Sequence, residues 1–269
     1  SDGRAELWTK EDALRRVMIR TVWHAGEPSS SRGRRSGAGE HACTVGGCGE
    51  GPGLENSGAE PKVGGWCLCA TRSGRCLWPI NACLIQQELG LAQDIPVLDI
   101  NAACSGFVYG AAVARGLLAA RADRSRPYAL VIGCEHLSRL MDMTDRSTCV
   151  LFGDAAGAGV FKLCDAPFAV DLGARGDLAI EVPEGGPIKM DGSAVFRFAV
   201  DALPRSLHAV MEESGLTLDD LDWVVCHQAN GRIIDHCVKK LKADPAKFYK
   251  NMERFGNTSA ASVPVALHE

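Results

Sequence analysis

Three residues with side chains suited to chemistry at a carbonyl group lie at junctions between apolar runs and helix-like segments. Cys104 lies between the apolar run "IPVLDI" and the glycine-bearing segment "SGFVYG". His227 directly follows "LDWVVC", and Asn257 lies in "RFGNTSAAS". A thiol, an imidazole and a neutral amide are a nucleophile and two hydrogen-bonding groups, so together they indicate nucleophilic chemistry.

The position of Cys104 after a strand and at the start of a helix favours a reactive thiol. A helix N-terminus offers unpaired N–H groups and partial positive charge, which favour the thiolate and can hold a negative oxygen. Asn101, Ala102 and Ala103 are small, so a substrate can approach the backbone there. The alternative from this stretch alone is a buried small hydrophobe, which is the commoner fate of a free cysteine.

His227 and Asn257 each have a structural alternative. His227 follows an expected strand, where sites of α/β proteins are usually assembled, but a core histidine bonded to a backbone carbonyl fits equally well. Asn257 after a glycine is typical of a turn or cap. A helix is predicted from near Gly231, and its buried stripe is Ile233, Ile234, Cys237, Val238 and Leu241.

The chain from Pro79 onward has the periodicity of an α/β protein. Residues 79–91 predict a helix in which Ile80, Cys83 and Leu84 are buried and Gly90 is the stop. Three apolar runs predict buried strands, namely "IPVLDI" (95–100), "YALVIGC" (128–134) and "LDWVVC" (221–226).

The totals limit the classes of function. The 269 residues carry a net charge of −4, which gives no general attraction to nucleic acid or to an anionic membrane. The apolar stretch 107–120 is interrupted by Arg115 and is expected to be too short to cross a bilayer. No signal peptide is visible, so the twelve cysteines are expected to be reduced thiols in a cytoplasmic protein.

Residues 28–78 have a different composition, which is rich in glycine and contains no Ile, Phe or Met. A flexible segment is one explanation. A metal module using His41, Cys43, Cys48 and the "CLC" at 67–69 is another, although its spacing matches no standard zinc pattern. A shifted reading frame is the third, and the abrupt return of regular periodicity near Pro79 favours it.

Five ordered motifs resemble the 3-oxoacyl-acyl-carrier-protein synthase III family of the thiolase superfamily, over about residues 79–267. The motifs are "DINAACSGF", "TDRSTCVLFGDAAGAGV", "IKMDGSAVFRFAV", "HQANGRII" and "GNTSAAS". The resemblance implies that Cys104 takes an acyl group, acetyl in the first instance, from a coenzyme A thioester. It implies that His227 and Asn257 bind the thioester carbonyl of malonyl-acyl carrier protein, whose decarboxylation gives the enolate that attacks the acyl-cysteine.

The resemblance also assigns binding residues and requires no cofactor. Six residues would line the coenzyme A and pantetheine channel: Arg146, Phe152, Met190, Gly192, Phe196 and Asn230. Phe152 and Phe196 have plain core positions as their alternative. Arg232, Lys239 and Lys240 would form a basic face for the acidic carrier protein, and a solvated helix face is the alternative for the lysines. The run "GDAAGAG" from Gly153 is expected to allow close backbone packing rather than phosphate binding.

The implied fold is α/β, a duplicated α/β/α/β/α sandwich of the thiolase type that is incomplete at both ends. The domains would be an aberrant or disordered segment 1–78, an N-terminal half 79–163 and a truncated C-terminal half 164–269. The family is homodimeric, and "IPVLDI" would lie at the two-fold interface. The alternatives are a catalytically inactive fragment of such a synthase and a related condensing enzyme that makes a polyketide-type product.

Overall fold

A computed structural model describes residues 19–25, 64–74, 77–122 and 124–269, and its centre is a five-stranded sheet. The strands are β1 (Ile19–Ala25), β2 (Gly64–Ala70), β3 (Val97–Ile100), β4 (Tyr128–Glu135) and β5 (Ala155–Lys162), in the order β1–β5–β4–β2–β3. β2 pairs in parallel with β3 and β4, whereas β5 is antiparallel to β4 and β1.

Six α-helices accompany this sheet in the described residues, with a short hairpin of β6 (Ile180–Glu181) and β7 (Lys189–Met190). The helices are α1 (Asn81–Glu88), α2 (Gly106–Ala120), α3 (Gly192–Ser214), α4 (Gly231–Leu241), α5 (Met252–Phe255) and α6 (Ser262–His268). Short 3₁₀ turns include Ala103–Ser105 before α2 and Ser259–Ala261 before α6.

The sheet is covered on both faces, which explains why β2 and most of β4 and β5 are buried. Phe107 of α2 and Val263 of α6 pack with Leu68 and Val131 on one face. On the other face α1 packs against the cluster that contains Ile132. The alternating side chains of each buried strand therefore enter two apolar layers, as expected for strands between helix layers.

The apolar segment Ala103–Ala120 has the length and composition of a membrane span, contrary to the expectation that it is too short. The reason is that the 3₁₀ turn Ala103–Ser105 and Gly106 extend the apolar stretch 107–120 by four residues toward the N-terminus. In the fold, Phe107, Ala114 and Leu118 of this segment are buried against the sheet. One face of the segment therefore packs against the sheet.

β1 and β2 both lie inside the segment 1–78 that the sequence assigned to an aberrant or disordered region, so parts of that segment belong to the central sheet. Cys67 and Cys69 are wholly buried on the face toward α1, where they act as small apolar side chains. No group of three or more potential metal ligands occurs among the described residues. His41, Cys43 and Cys48 lie outside them, so the metal hypothesis is untested for those three residues.

Two predicted elements differ from the structure. The buried residues of α1 are Asn81, Ala82 and Ile85, so the predicted stripe of Ile80, Cys83 and Leu84 was wrong. The cause is Asp99 of β3, whose carboxylate accepts from the backbone N–H groups of Asn81 and Ala82 at 2.8 Å each and fixes the helix rotation. Gly90 does follow α1, in the left-handed conformation with φ +59°.

The run 221–226 does not form the predicted strand. It has one isolated parallel bridge, between Val224 and Phe248, with Val224 N donating to Lys247 O at 2.7 Å. In the described part of the chain no strand lies beside this run to extend the ladder, so its apolar side chains pack on helices instead. Cys226 joins Ile234 and Cys237 of α4 in a separate cluster. The predicted start of α4 near Gly231 and its buried stripe are confirmed.

Glycines of the N-terminal half allow the backbone of residues 255–265 to approach the sheet closely. A Cβ on Gly133 of β4 would lie 2.3 Å from the carbonyl oxygen of Ala260. A Cβ on Gly153 would lie equally close to the carbonyl oxygen of Phe255. The predicted role of the run from Gly153 in close packing of the two halves is confirmed.

Replacing Gly133 with alanine is therefore expected to lower the free energy of unfolding by about 1–3 kcal/mol, because only backbone atoms stand in the way of the new methyl group. Gly116→Ala in α2 is the matched control, since no atom lies within 4 Å of its added Cβ. This control should gain about 0.5–1 kcal/mol from helix propensity. Urea unfolding of both variants measures the difference, and equal stabilities would contradict the close approach.

Candidate active site

One turn, residues 257–262, contacts each of the three residues singled out in the sequence. Asn257 begins this turn, which we call the 257–262 turn. The 3₁₀ turn that contains Cys104 packs against the 3₁₀ turn Ser259–Ala261. The side chain of Ser262 lies 2.6 Å from Nδ1 of His227. The structure thus places Cys104 and His227, which are far apart in the sequence, beside the turn that Asn257 begins.

Cys104 lies in the 3₁₀ turn that leads into α2, as predicted, and its surroundings are strained. Ala103 has φ +45° and Ser259 has φ +49°, a region that side chains other than glycine rarely adopt. Such backbone conformations are maintained where the surrounding structure fixes them, often at functional sites. In the described residues the only other non-glycine residue with positive φ is Lys242, at the end of α4.

The pKa of the Cys104 thiol is raised, contrary to the expectation that the helix start would favour the thiolate. Burial of the sulfur is the largest cause, and the negative charge of Glu135 adds to it. The Ser259 side chain acts in the opposite direction and lowers the pKa of the thiol. The resting nucleophile is therefore a thiol that must lose its proton when it attacks.

Ser262 lies against the imidazole of His227 and has two further hydrogen-bond partners. Besides lying 2.6 Å from His227 Nδ1, Ser262 Oγ accepts from Gln228 N at 3.3 Å. Ser259 O lies 2.9 Å from the same hydroxyl and is a second acceptor for its one hydrogen. The choice between these acceptors determines whether Nδ1 or Nε2 of His227 carries the imidazole proton.

Burial lowers the pKa of His227 to about 4, so the imidazole is neutral at physiological pH. Its ordinary value of 6.5 applies in the unfolded chain. Between these values the unfolded state binds more protons, so the neutral buried ring stabilises the fold fully above the unfolded pKa. That contribution is lost as the pH falls through the window toward 4.

We expect the imidazole resonances of His227 to stay constant from about pH 8 down to about pH 5.5. Two-dimensional NMR measures these resonances, with His227→Gln giving the assignment. Titration of His227 near pH 6.5 would contradict its burial as a neutral ring.

The amide of Asn257 has an orientation fixed by its own turn. Its Oδ1 accepts from Ser259 N at 2.9 Å, so its NH₂ group is left to donate elsewhere. The backbone of Asn257 is hydrogen bonded to both chain neighbours of Phe152. Its N–H donates to Leu151 O at 2.8 Å, and its carbonyl accepts from Gly153 N at 3.0 Å. The amide is therefore a preorganised neutral donor.

The predicted binding residues fall into separate groups. Phe152 is buried and shares a cluster with the partly buried Met190, so the core alternative is also satisfied for Phe152. Phe196 of α3 lies beneath the Arg232 guanidinium, 5.7 Å from its ring centre. Arg146 is exposed.

The remaining predicted residues lie at or on helices α3 and α4. Gly192 is the first residue of α3, and Asn230 caps α4 by accepting from Arg232 N at 2.9 Å. Lys239 and Lys240 are exposed in the last turn of α4, and Lys240 pairs with Asp201 at 3.2 Å. None of the contacts described for these residues involves Cys104, so their binding roles stay predictions.

Sequence reasoning missed four residues that build the site: Glu135, Gln228, Ser259 and Ser262. Glu135 ends the buried strand β4, and a charged residue at the carboxyl end of a buried strand is a readable signal. Ser259 and Ser262 lie in the quoted "GNTSAAS", where only the asparagine was singled out. Nothing in the local pattern indicates that Gln228 would donate to the carbonyls of Cys226 and Tyr249.

Two family models match the chain. The model for 3-oxoacyl-[acyl-carrier-protein] synthase III matches residues 98–176. The model for the C-terminal part of the same synthase matches residues 211–269. Cys104 and Arg146 lie in the first matched range, and His227 and Asn257 lie in the second.

Curated relatives are named beta-ketoacyl-[acyl-carrier-protein] synthase III. The protein of Acholeplasma laidlawii is 45% identical over 71% of this chain and 62% of its own length. The protein of Clostridium beijerinckii is 40% identical over 80% of this chain and 71% of its own length. The chain thus spans about two thirds of the length of these relatives.

Solved structures agree with this family. The 3-oxoacyl-[acyl-carrier-protein] synthase III of Aquifex aeolicus is 36% identical, with a TM-score of 0.76 over 80% of this chain and 70% of its own. The synthase III of Pseudomonas aeruginosa is 32% identical, with a TM-score of 0.78 over 85% of this chain and 73% of its own. The α/β fold with a thiolase-like sheet is therefore the one expected from the sequence.

Proposed function

The chain belongs to the 3-oxoacyl-[acyl-carrier-protein] synthase III family, and from this premise we propose that it is the initiating condensing enzyme of type II fatty-acid synthesis. It transfers an acyl primer, in the first instance acetyl, from coenzyme A to Cys104. It then condenses that acyl group with malonyl-acyl carrier protein to give 3-oxoacyl-acyl carrier protein. The observation that carries the proposal is the 257–262 turn, which packs against the turn of Cys104, contacts His227 and contains Asn257.

In the first half-reaction the Cys104 sulfur attacks the carbonyl carbon of the acyl-coenzyme A thioester. A new carbon–sulfur bond forms, the bond to the coenzyme A sulfur breaks, and the cysteine proton ends on the coenzyme A thiol. The partial positive charge at the start of α2 stabilises the transient negative oxygen. The small residues Ala102 and Ala103 leave the thioester room to approach.

In the second half-reaction the malonyl group loses carbon dioxide and becomes an enolate. The NH₂ of Asn257 and the Nε2–H of neutral His227 donate to its oxygen, each such donor being worth about 2.7–4 kcal/mol. This role requires Ser262 to donate its hydrogen to His227 Nδ1, the nearer of its two acceptors. The enolate carbon then attacks the acyl-cysteine, and the Cys104 thiol is regenerated.

This chemistry needs no metal or organic cofactor, because decarboxylation supplies the carbanion without a strong base. Coenzyme A and acyl carrier protein thioesters are the substrates. The channel for their pantetheine arms is formed by Phe152, Met190, Gly192, Phe196 and Asn230, with Arg146 at the nucleotide end. The thiol nucleophile must stay reduced, which suits a cytoplasmic location; nine cysteines in the described residues are free.

The carrier protein docks on the exposed basic residues of α4. Arg232 and Lys239 are seven residues apart and share one helix face, and Lys240 is held nearby by Asp201. Attraction of an acidic partner to such a face is electrostatic and weakens with added salt.

A homodimer would form at β3. This strand is an edge of the sheet, paired only with β2 among the described residues, so its outer backbone groups can pair with a second copy. A two-fold axis beside β3 would join two sheets into one.

Labelled acetyl-coenzyme A tests the proposal in two steps. The protein should retain label on Cys104 after removal of free ligand, as located by peptide mass spectrometry. Addition of malonyl-acyl carrier protein should then move the label to the carrier protein as a 3-oxoacyl thioester. Absence of label on Cys104 would contradict the proposed function. Label on Cys104 without transfer to the carrier protein would support the first half-reaction and contradict the condensation.

A further inference from the structure

Glu135 is a wholly buried carboxylate that the condensation described above does not use. A carboxylate is rarely buried completely unless its oxygens are hydrogen bonded. Its Oε2 accepts from Arg72 N at 3.1 Å, from Ser73 N at 3.2 Å and from Ser73 Oγ at 2.5 Å. The loop after β2 therefore fixes one oxygen of this carboxylate and leaves the other to bind elsewhere.

The second oxygen of Glu135 reaches the 257–262 turn. Ser259 Oγ donates to Glu135 Oε1 at 3.0 Å, although the two residues are 124 positions apart in the chain. The partners of both oxygens are backbone N–H groups and hydroxyls, so the carboxylate serves as an acceptor for neutral donors. This hydrogen bond ties the carboxyl end of β4 to the segment that carries Asn257.

Ser259 is held at its side chain and at its backbone. Its hydroxyl donates to Glu135, and its N–H donates to Asn257 Oδ1 at 2.9 Å. Its φ of +49° is unfavourable for a residue other than glycine and is maintained only where neighbouring groups fix it. Rotation about this bond would turn the peptide plane that carries the N–H, so the conformation of Ser259 determines where Asn257 Oδ1 is held.

We propose that Glu135 is a positioning residue for the decarboxylation step and that it acts through Ser259. The proposal rests on the proposed function, in which the NH₂ group of Asn257 donates to the enolate oxygen. Glu135 accepts from Ser259 Oγ and so keeps Ser259 in its left-handed conformation. Ser259 N then holds Asn257 Oδ1, which leaves the NH₂ group to donate to the enolate.

The orientation of the Asn257 amide matters because its two ends have opposite character. The NH₂ end donates, whereas the carbonyl end only accepts. An amide rotated by half a turn would present Oδ1 to the developing negative charge and repel it. A preorganised donor needs no such reorientation during the reaction, and this is the source of its effect on the rate.

Ser259→Gly tests the link with the smallest change to the turn. Glycine adopts positive φ without strain, so the turn can still form, but the hydrogen bond to Glu135 is lost. We expect decarboxylation of malonyl-acyl carrier protein to slow by about 10–100-fold, up to the limit set by loss of one donor. Acylation of Cys104 should stay within a few-fold of the wild type. Ser214→Gly is the matched control, since the Ser214 hydroxyl donates within its own helix, and it should leave both rates unchanged.

Two variants of Glu135 separate its hydrogen bond from its charge. In Glu135→Gln the three donors from the loop select the amide oxygen, so the new NH₂ group faces Ser259 Oγ and can donate to it. This variant should therefore decarboxylate within a few-fold of the wild type. Glu135→Met has a similar length but forms no such bond, and it should be as slow as Ser259→Gly. A glutamine variant as slow as the methionine variant would contradict positioning by a hydrogen bond.

A double-mutant cycle shows whether the effect passes through Asn257. In an Asn257→Ala background, Ser259→Gly and Glu135→Met should not lower the decarboxylation rate further, because the amide that they position is absent. A further tenfold fall would mean that they act on another part of the site, and would overturn the proposal. Wild-type rates in the single variants would also overturn it. Ser259→Gly keeps the test decisive if Glu135→Met does not fold.

NMR relaxation of the Asn257 side-chain amide gives a readout that needs no substrate. In the wild type its order parameter should be near about 0.85, the value of a rigid group, and in Ser259→Gly it should fall below about 0.6. Asn257→Ala assigns the resonance. A mobile amide in the wild type would contradict the positioning. A rigid amide that becomes mobile in Ser259→Gly, in a protein that does not condense, would support the positioning and reject only the proposed function.

Discussion

Cys104→Ala abolishes retention of the acyl label and lowers condensation to the background rate, while decarboxylation of malonyl-acyl carrier protein continues. The sulfur forms the only covalent bond to the primer in the proposed cycle, so no other group can replace it. His227 and Asn257, which bind the enolate oxygen, are not altered by the substitution. Radiolabel transfer and release of labelled carbon dioxide measure the two activities separately.

The matched control for Cys104 is Cys164→Ala, which removes an exposed thiol after β5 and should leave both activities unchanged. Retained label in Cys104→Ala would show that another residue is acylated. Loss of decarboxylation together with labelling would mean that the substitution disturbs the 257–262 turn, a result that circular dichroism and urea unfolding would detect.

Asn257→Asp is expected to have the second large effect, on the other half-reaction. The aspartate can still accept from Ser259 N, so the turn keeps its shape, but the NH₂ donor becomes a negatively charged oxygen. Loss of one donor lowers the decarboxylation rate by about 10²–10³-fold, and repulsion of the enolate lowers it further. Acylation of Cys104 should stay within a few-fold of the wild type.

Asn257→Ala separates the two contributions of this change. Alanine removes the donor without adding charge, so its decarboxylation rate should lie between those of the wild type and Asn257→Asp. Equal rates for alanine and aspartate would show that no negative charge develops near residue 257. The measurement is release of labelled carbon dioxide under single-turnover conditions.

The parts of the fold that the sequence predicted are those with local signals. Helix α4 follows from a periodic apolar stripe and ends where that stripe ends, so its start and buried face are as expected. The run "YALVIGC" is similarly decisive, because a buried central strand is apolar on both faces. The position of Cys104 at the start of α2 could be predicted because a strand signal and a helix signal meet there.

The parts that could not be predicted depend on residues distant in the sequence. The rotation of α1 is fixed by Asp99 of β3, which caps the helix from another element. The run 221–226 has strand-like residues but, in the part of the chain that the structure describes, only one bridging partner, so the run does not form a strand. β2 was hidden in a glycine-rich context, and its burial comes from pairing with β3 and β4.

The pKa of Cys104 illustrates the same limit at the site itself. The helix start alone favours a thiolate, and that effect is visible from the sequence. Burial and the charge of Glu135 act in the opposite direction and outweigh it. Glu135 is 31 positions away in the chain, so only the folded arrangement reveals that the nucleophile rests as a thiol beside a carboxylate.

The central claim is that Cys104, His227 and Asn257 serve one thioester, and a crystal structure with a non-decarboxylating malonyl-pantetheine amide tests it directly. We predict that the carbonyl oxygen next to the amide lies about 2.7–3.2 Å from His227 Nε2 and from Asn257 Nδ2, with the malonyl α-carbon facing the Cys104 sulfur. An analogue bound away from these atoms, or three side chains that open into different cavities, would contradict the account.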